Sequence, residues 1–135
     1  MGIEVNKDKI RRFLSQEVFF GPVESLAVVD EVFADDVVWL APGNGEVIFS
    51  GTGEIKAELQ RYREVGGEIA ILEQIAEGES VATRYRLEVG RGEQRRAFAG
   101  VTLSHFADDG EIHEYRVVVT DDPDDLVEKM GNGHN

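Results

Sequence analysis

The chain contains no cysteine. That excludes disulfides, thiolate catalysis and cysteine-ligated metal centres together. Histidine is almost as scarce: His105, His113 and His134 are too few and too scattered for a metal signature, so no metal and no cofactor are expected. Positive charge is short as well. Fourteen Lys and Arg stand against 27 Asp and Glu, a formal net charge of −13. Phosphate recognition needs clustered Lys and Arg, which argues against a nucleic-acid partner, and the same deficit disfavours an anionic membrane surface. No apolar run approaches the ~18 residues of a membrane span. The opening "MGIEVNKDKI" has no apolar core of signal-peptide type, and Asn6 stands where a myristoylation motif after Gly2 needs Ser or Thr. A cytoplasmic protein is the expectation, with no membrane partner.

What is present is ample for a core: 41% of the 135 residues are hydrophobic, and the length suits one domain, 1–135, with an ordered core about 6–131. Asn6 suits the cap of a first helix with Ile10, Phe13, Leu14 and Val18 on one stripe. "FFGP" breaks it. Pro22 suits the first turn of a second helix carrying Val23, Leu26, Val29 and Phe33. Asp35-Asp36 read as the turn into a short strand that Pro42 ends, and "EVIFS" as a second. Thr52 is placed to cap a third helix with Ile55, Leu59 and Tyr62 on its buried side, stopped by Gly66-Gly67. The pattern then changes to strands near 68–76, 79–89, 95–106 and 111–121. "DPDDLVEKMG" reads as a closing helix, and the tail "NGHN" as disordered. Helices first and a meander of strands after predict an α+β fold with an antiparallel sheet.

The stretch "HFADDGEIHEYRVVVTDD", residues 105–122, carries His113, Glu114 and Arg116 inside one strand. The "DDG" turn pairs Phe106 with Ile112. Continuing that register pairs Ser104 with Glu114, Thr102 with Arg116 and Gly100 with Val118. One face then holds Phe98, Phe106, Ile112, Ser104, Thr102, Glu114 and Arg116. The other holds Ala99, Val101, Leu103, Tyr115, Val117 and Val119, with His105 opposite His113. A slip of one residue exchanges the two sets. The second face is apolar enough to need a cover, and a homodimer through Val101, Leu103, Tyr115 and Val117 supplies one. Arg84 and Arg86 fall on that outer side.

The order of elements, with "VVDEVFADDVVWLAP", "GTGEIKAEL", "EGESVATRYRLEV" and "HFADDGEIHEYRVVVTDD", resembles the SnoaL-like families of the nuclear-transport-factor-2-like superfamily, from about residue 8 to residue 131. The resemblance implies a cystatin-like α+β roll in which three N-terminal helices and a curved sheet form a cone around a pocket, often dimeric through the outer sheet face. It names no single chemistry, because the fold hosts isomerases, cyclases, hydrolases and non-enzymes. The base of ketosteroid isomerases falls on Ala41 and their second carboxyl near Thr102. The Asp-Arg-Asp set of limonene-type epoxide hydrolases falls on Leu87, Tyr85 and Thr120. The His and Asp of SnoaL polyketide cyclases have His105 and Asp121 as nearest counterparts, both outside the cone in this register.

Glu114 remains as the carboxylate on the pocket face. Either it is a general base held by Ser104 and Arg116, or Glu114 and Arg116 are a solvated ion pair. Trp39, Tyr62 and Tyr85 read as pocket wall or as plain core packing. Phe98, Thr102 and Ser104 complete the expected substrate surface. The functional expectation is an isomerase or cyclase using acid/base chemistry on a polyketide- or terpenoid-like substrate, with a small hydrophobic ligand as partner. The alternatives are a ligand-binding protein without catalysis and a structural dimer module. Burial of Glu114 separates the first two.

Overall fold

The computed structural model describes residues 2–41 and 43–121. The expected closing helix and tail lie outside them. The first helical segment is α1 (Ile3–Phe13), followed after a break at Leu14-Ser15 by α2 (Gln16–Phe20). Asn6 is not the cap. It falls on the same stripe as Ile10 and Phe13 and is buried with them, while Gly2 holds the cap position. The Ser15 side chain caps α2 by accepting from the Val18 N–H. Pro22 stands just before the next segment, which is a 3-10 turn (Val23–Leu26) running into α3 (Ala27–Val32). Phe33 opens a strand instead of closing that helix, and Asp35-Asp36 lie inside the strand with their side chains exposed.

That strand is β1 (Phe33–Leu40), followed by β2 (Val47–Ser50). The long helix α4 (Thr52–Val65) starts one residue earlier than a Thr52 cap would place it, with Gly51 as the cap and Glu54 Oε1 accepting from the Ser50 N–H at 2.9 Å. It stops at Gly66, whose φ of +87° suits glycine. The meander follows as β3 (Gly67–Glu77), β4 (Ser80–Val89), β5 (Arg96–Phe106) and β6 (Ile112–Asp121).

The six strands run in the order β2-β1-β6-β5-β4-β3. Four pairings are antiparallel, but β1 and β6 pair in parallel, so the sheet is mixed where the sequence suggested antiparallel throughout. The curved sheet and the helices bury one core between them. At its centre Phe13, Phe33, Trp39 and Tyr115 form an aromatic cluster with neighbouring centroids 4.8–6.1 Å apart. Such edge-to-face pairs contribute ~0.5–1.5 kcal/mol each beyond their buried area.

One local event decides which side chains face that core. Phe106 pairs with Ile112 as expected, but the next pair is His105 with Glu114. His113 is therefore an extra residue on β6, a β-bulge. Beyond it the register is shifted by one. Ser104 pairs with Tyr115, Thr102 with Val117, Leu103 with Arg116 and Val101 with Val118. The β5 faces stand as expected, while those of β6 are exchanged. His113 and His105 are not cross-strand partners. His113 instead meets Asp109 in the turn, Nε2 to Oδ2 at 2.8 Å, and Asp36 of β1, Nδ1 to Oδ1 at 3.4 Å.

Candidate functional site

The helices lie across the concave face of the sheet and enclose a cavity of about 570 Å³. Its floor is Phe13, Trp39 and Tyr115. Leu59 and Tyr62 reach it from α4, Tyr85 and Leu87 from β4, and Thr102 and Val117 from β5 and β6. The sequence dictates much of this wall. Ile55, Leu59 and Tyr62 follow helical spacing on α4, and Tyr85 and Leu87 alternate on β4. Tyr85 pairs across the strands with Gly100. A Cβ at Gly100 would lie 2.2 Å from Tyr85 Cζ, so the ring has its place because position 100 is glycine.

The polar content of the wall is mainly hydroxyl groups, which donate and accept, with the Trp39 indole and the Glu58 carboxylate beside them. The Tyr115 phenol is held far above its ordinary pKa, first by burial and then by the nearby Tyr85; Thr102 opposes this slightly. Burial first and Tyr62 second raise Tyr85 likewise. Tyr62 is raised by burial and by the Glu58 carboxylate, against a smaller opposing effect of Arg61. All three phenols therefore stay protonated at physiological pH. Trp39 Nε1, Thr102 Oγ1, Ser104 Oγ and the Tyr115 hydroxyl are buried without a hydrogen-bond partner among the described residues. An unpaired buried polar group costs about 1–3 kcal/mol.

Glu58 is the one charged residue lining this cavity, among the described residues. Its carboxylate is bound by Arg61, Oε2 to Nη2 at 2.7 Å and Oε1 to Nε at 3.1 Å. The Glu58 side chain is 19% exposed, against 69% for Arg61, so the pair runs from the cavity wall out to solvent.

The structure brings together Trp39, Tyr62, Tyr85 and Thr102 of the expected surface. Phe98 is half-buried and lines an adjoining hollow. Ser104 is fully buried on the inner face, behind the lining. Glu114 and Arg116 are corrected: the His113 bulge turns both to the outer face, where Glu114 is exposed and Arg116 lies near Gly45. His105 is exposed beside Ser80, and the exposed Asp121 pairs with Arg96 at 3.2 Å; neither lines the cavity. Tyr115 and Val117, expected on the outer face, are part of the wall instead. Glu58 was overlooked in the sequence, although it sits three residues after Ile55 and four before Tyr62, an acid on an apolar stripe. Among the described residues no cluster of His, Asp and Glu is arranged to hold a metal, and no helix is long and apolar enough to cross a membrane.

A layer of helices over a curved sheet, with an apolar chamber between them, defines an α+β pocket protein. The sequence profile of the SnoaL-like domain matches residues 23–115, and the chain belongs to that family. No protein of curated function matches it significantly. Three solved structures share the fold. A proposed SnoaL-like polyketide cyclase from Jannaschia sp. CCS1 is 19% identical with a TM-score of 0.68, covering 93% of this chain and 88% of that one. A proposed ketosteroid isomerase from Kribbella flavida DSM 17836 is 17% identical with a TM-score of 0.68, covering 88% and 80%. An LEH-like epoxide hydrolase from M. tuberculosis is 24% identical with a TM-score of 0.65, covering 85% and 82%. These likenesses establish the fold and leave the chemistry to the residues.

Proposed function

We propose that the chain binds a flat, largely apolar small molecule of polyketide or terpenoid type, with carbonyl or ether oxygens along its length. The observation that carries this is the cavity of about 570 Å³ with an aromatic wall whose polar groups are phenols, hydroxyls, one indole N–H and, at its edge, the Arg61-bound Glu58 carboxylate. The size is within the range of ligand sites, ~300–1,000 Å³. The O–H and N–H groups of Trp39, Thr102 and Tyr115, left without partners among the described residues, favour a ligand that brings acceptor oxygens. Trp39 is the only tryptophan, so its fluorescence reports on the chamber directly. Titration with the neutral flat probe 1-pyrenebutanol should quench Trp39 and saturate at one probe per chain. Absence of saturable quenching defeats this reading.

Exposure of Glu114 favours binding over catalysis by that residue. A catalytic reading rests instead on Glu58, a carboxylate on the wall whose charge acts on the Tyr62 phenol. It is placed to take a proton from a bound substrate, with Arg61 steadying it. If turnover of a ketone or polyketide substrate is found, Glu58→Gln should lower it by ~10²–10⁴-fold. An unchanged rate leaves the pocket a binding site.

Two copies are expected to pair through the outer sheet face. Leu72, Ile75, Val101 and Leu103 are 45–65% exposed there, an apolar surface flanked by the Arg84–Glu73 ion pair.

A further inference from the structure

Beside the main chamber lies a second hollow of about 620 Å³, and Tyr62, Leu87 and Val119 line both. The charged residues lining it are Arg91 and Arg96, with no carboxylate among the described residues. Asp and Glu outnumber Lys and Arg 27 to 14 in this chain, so a hollow with only guanidiniums runs against its composition.

The two arginines are held in place differently. Gly90, which precedes Arg91, donates its N–H to the Gly66 carbonyl at 2.9 Å, docking the turn after β4 onto the end of α4. The Arg91 guanidinium rests on Gly66, where a Cβ would come within 2.9 Å of Nε. The carbonyl end of a helix favours positive charge, which positions the group without neutralising it. Arg91 has no hydrogen bond to a side chain and no carboxylate partner among the described residues. Arg96 stands over the Phe98 ring, 5.3 Å from its centroid, and holds Asp121 at 3.2 Å. In that pair a guanidinium at this rim already donates to a carboxylate.

We propose that the ligand of this pocket carries a carboxylate, which leaves the apolar chamber past Tyr62 and is held in the outer hollow by Arg91 with support from Arg96. This rests on the ligand-pocket reading above and adds the class of its polar end. A net charge of −13 repels anions at long range, but screening limits that field to ~8–10 Å, and a guanidinium–carboxylate contact acts within it.

The matched probes 1-pyrenebutyrate and 1-pyrenebutanol share one apolar body and differ at the end group. With the 135-residue chain at low salt, the butyrate should bind about 10–100-fold more tightly, the usual worth of a hydrogen bond to a charged group. Arg91→Gln should remove most of that preference and Arg96→Gln part of it, while the affinity for the alcohol moves less than about twofold. Salt should weaken the butyrate alone. Equal binding of the two probes by the native chain, or a preference that survives both substitutions, overturns the carboxylate while leaving the pocket intact. Failure of both probes to bind overturns the pocket reading, and the carboxylate with it.

Discussion

Tyr85 occupies the place that a side chain at Gly100 would fill: a Cβ there would stand 2.6 Å from the Tyr85 hydroxyl and 2.2 Å from Cζ. The contact holds the phenol at the cavity wall. Gly100→Ala should therefore push the ring off its site and destabilise the fold by ~1–3 kcal/mol, the usual cost of overpacking. Denaturant unfolding measures the loss, and the affinity for 1-pyrenebutanol should fall in parallel. A variant of native stability places the ring elsewhere in solution.

Tyr115→Phe should separate stability from binding. The hydroxyl is buried without a hydrogen-bond partner among the described residues. Removing it should leave stability unchanged or raise it by about 1–2 kcal/mol, while weakening ligands whose carbonyl the phenol would meet. Thermal unfolding and titration with a flat ketone such as anthrone test the two halves separately.

Glu114→Gln should be nearly silent. The carboxylate is exposed on the outer face, so stability should change by less than ~0.5 kcal/mol and probe affinity should not change. Loss of probe binding in this variant would falsify the bulged register.

The bulge carries its own titration. The Asp109 hydrogen bond raises the pKa of His113 above its ordinary value; burial opposes it next, and the charges of Asp109, Asp36 and Glu111 add to the rise. The pKa of Asp109 is lowered, first by its hydrogen bond to His113 and then by the Glu111 backbone N–H. A raised histidine contributes stability that is complete below its unfolded pKa of about 6.5 and is lost as pH rises through its folded pKa. A depressed carboxylate contributes above its unfolded value and loses that contribution as pH falls through the folded one. The pair should thus hold the turn best in the window between the two unfolded values, about 3.9 for the carboxyl and about 6.5 for the imidazole, and lose its hold as pH passes through either folded value. Proton NMR of the His113 ring should show its midpoint falling toward the ordinary histidine value in Asp109→Asn.

Two copies should pair through the outer face, where Val101 and Leu103 are each 45% exposed. Val101→Lys should give monomers by analytical ultracentrifugation without lowering monomer stability. A native chain that sediments as a monomer rules this pairing out.

Much of this protein is legible in its sequence because the relevant forces are local. Glycine and proline mark where segments end, helical spacing places Leu59 and Tyr62 on one side of α4, and alternation on β5 puts Thr102 and Ser104 inward with Val101 and Leu103 outward. The α+β class, the four long strands and much of the pocket wall follow from those patterns. Only tertiary structure decided the face of β6. A strand repeats every two residues, so the single extra residue at His113 exchanges every side chain after it. That bulge lies where β6 must pair with β5 on one edge and in parallel with β1 on the other, and where Asp36 and Asp109 both meet its imidazole. These partners are 77 and 4 residues away along the chain, and no local pattern brings them together. The same holds for Glu58, Arg91 and Arg96. Each is an ordinary charged residue in its own segment, and each becomes part of a cavity wall only when α4, the turn after β4 and β5 come together in the fold.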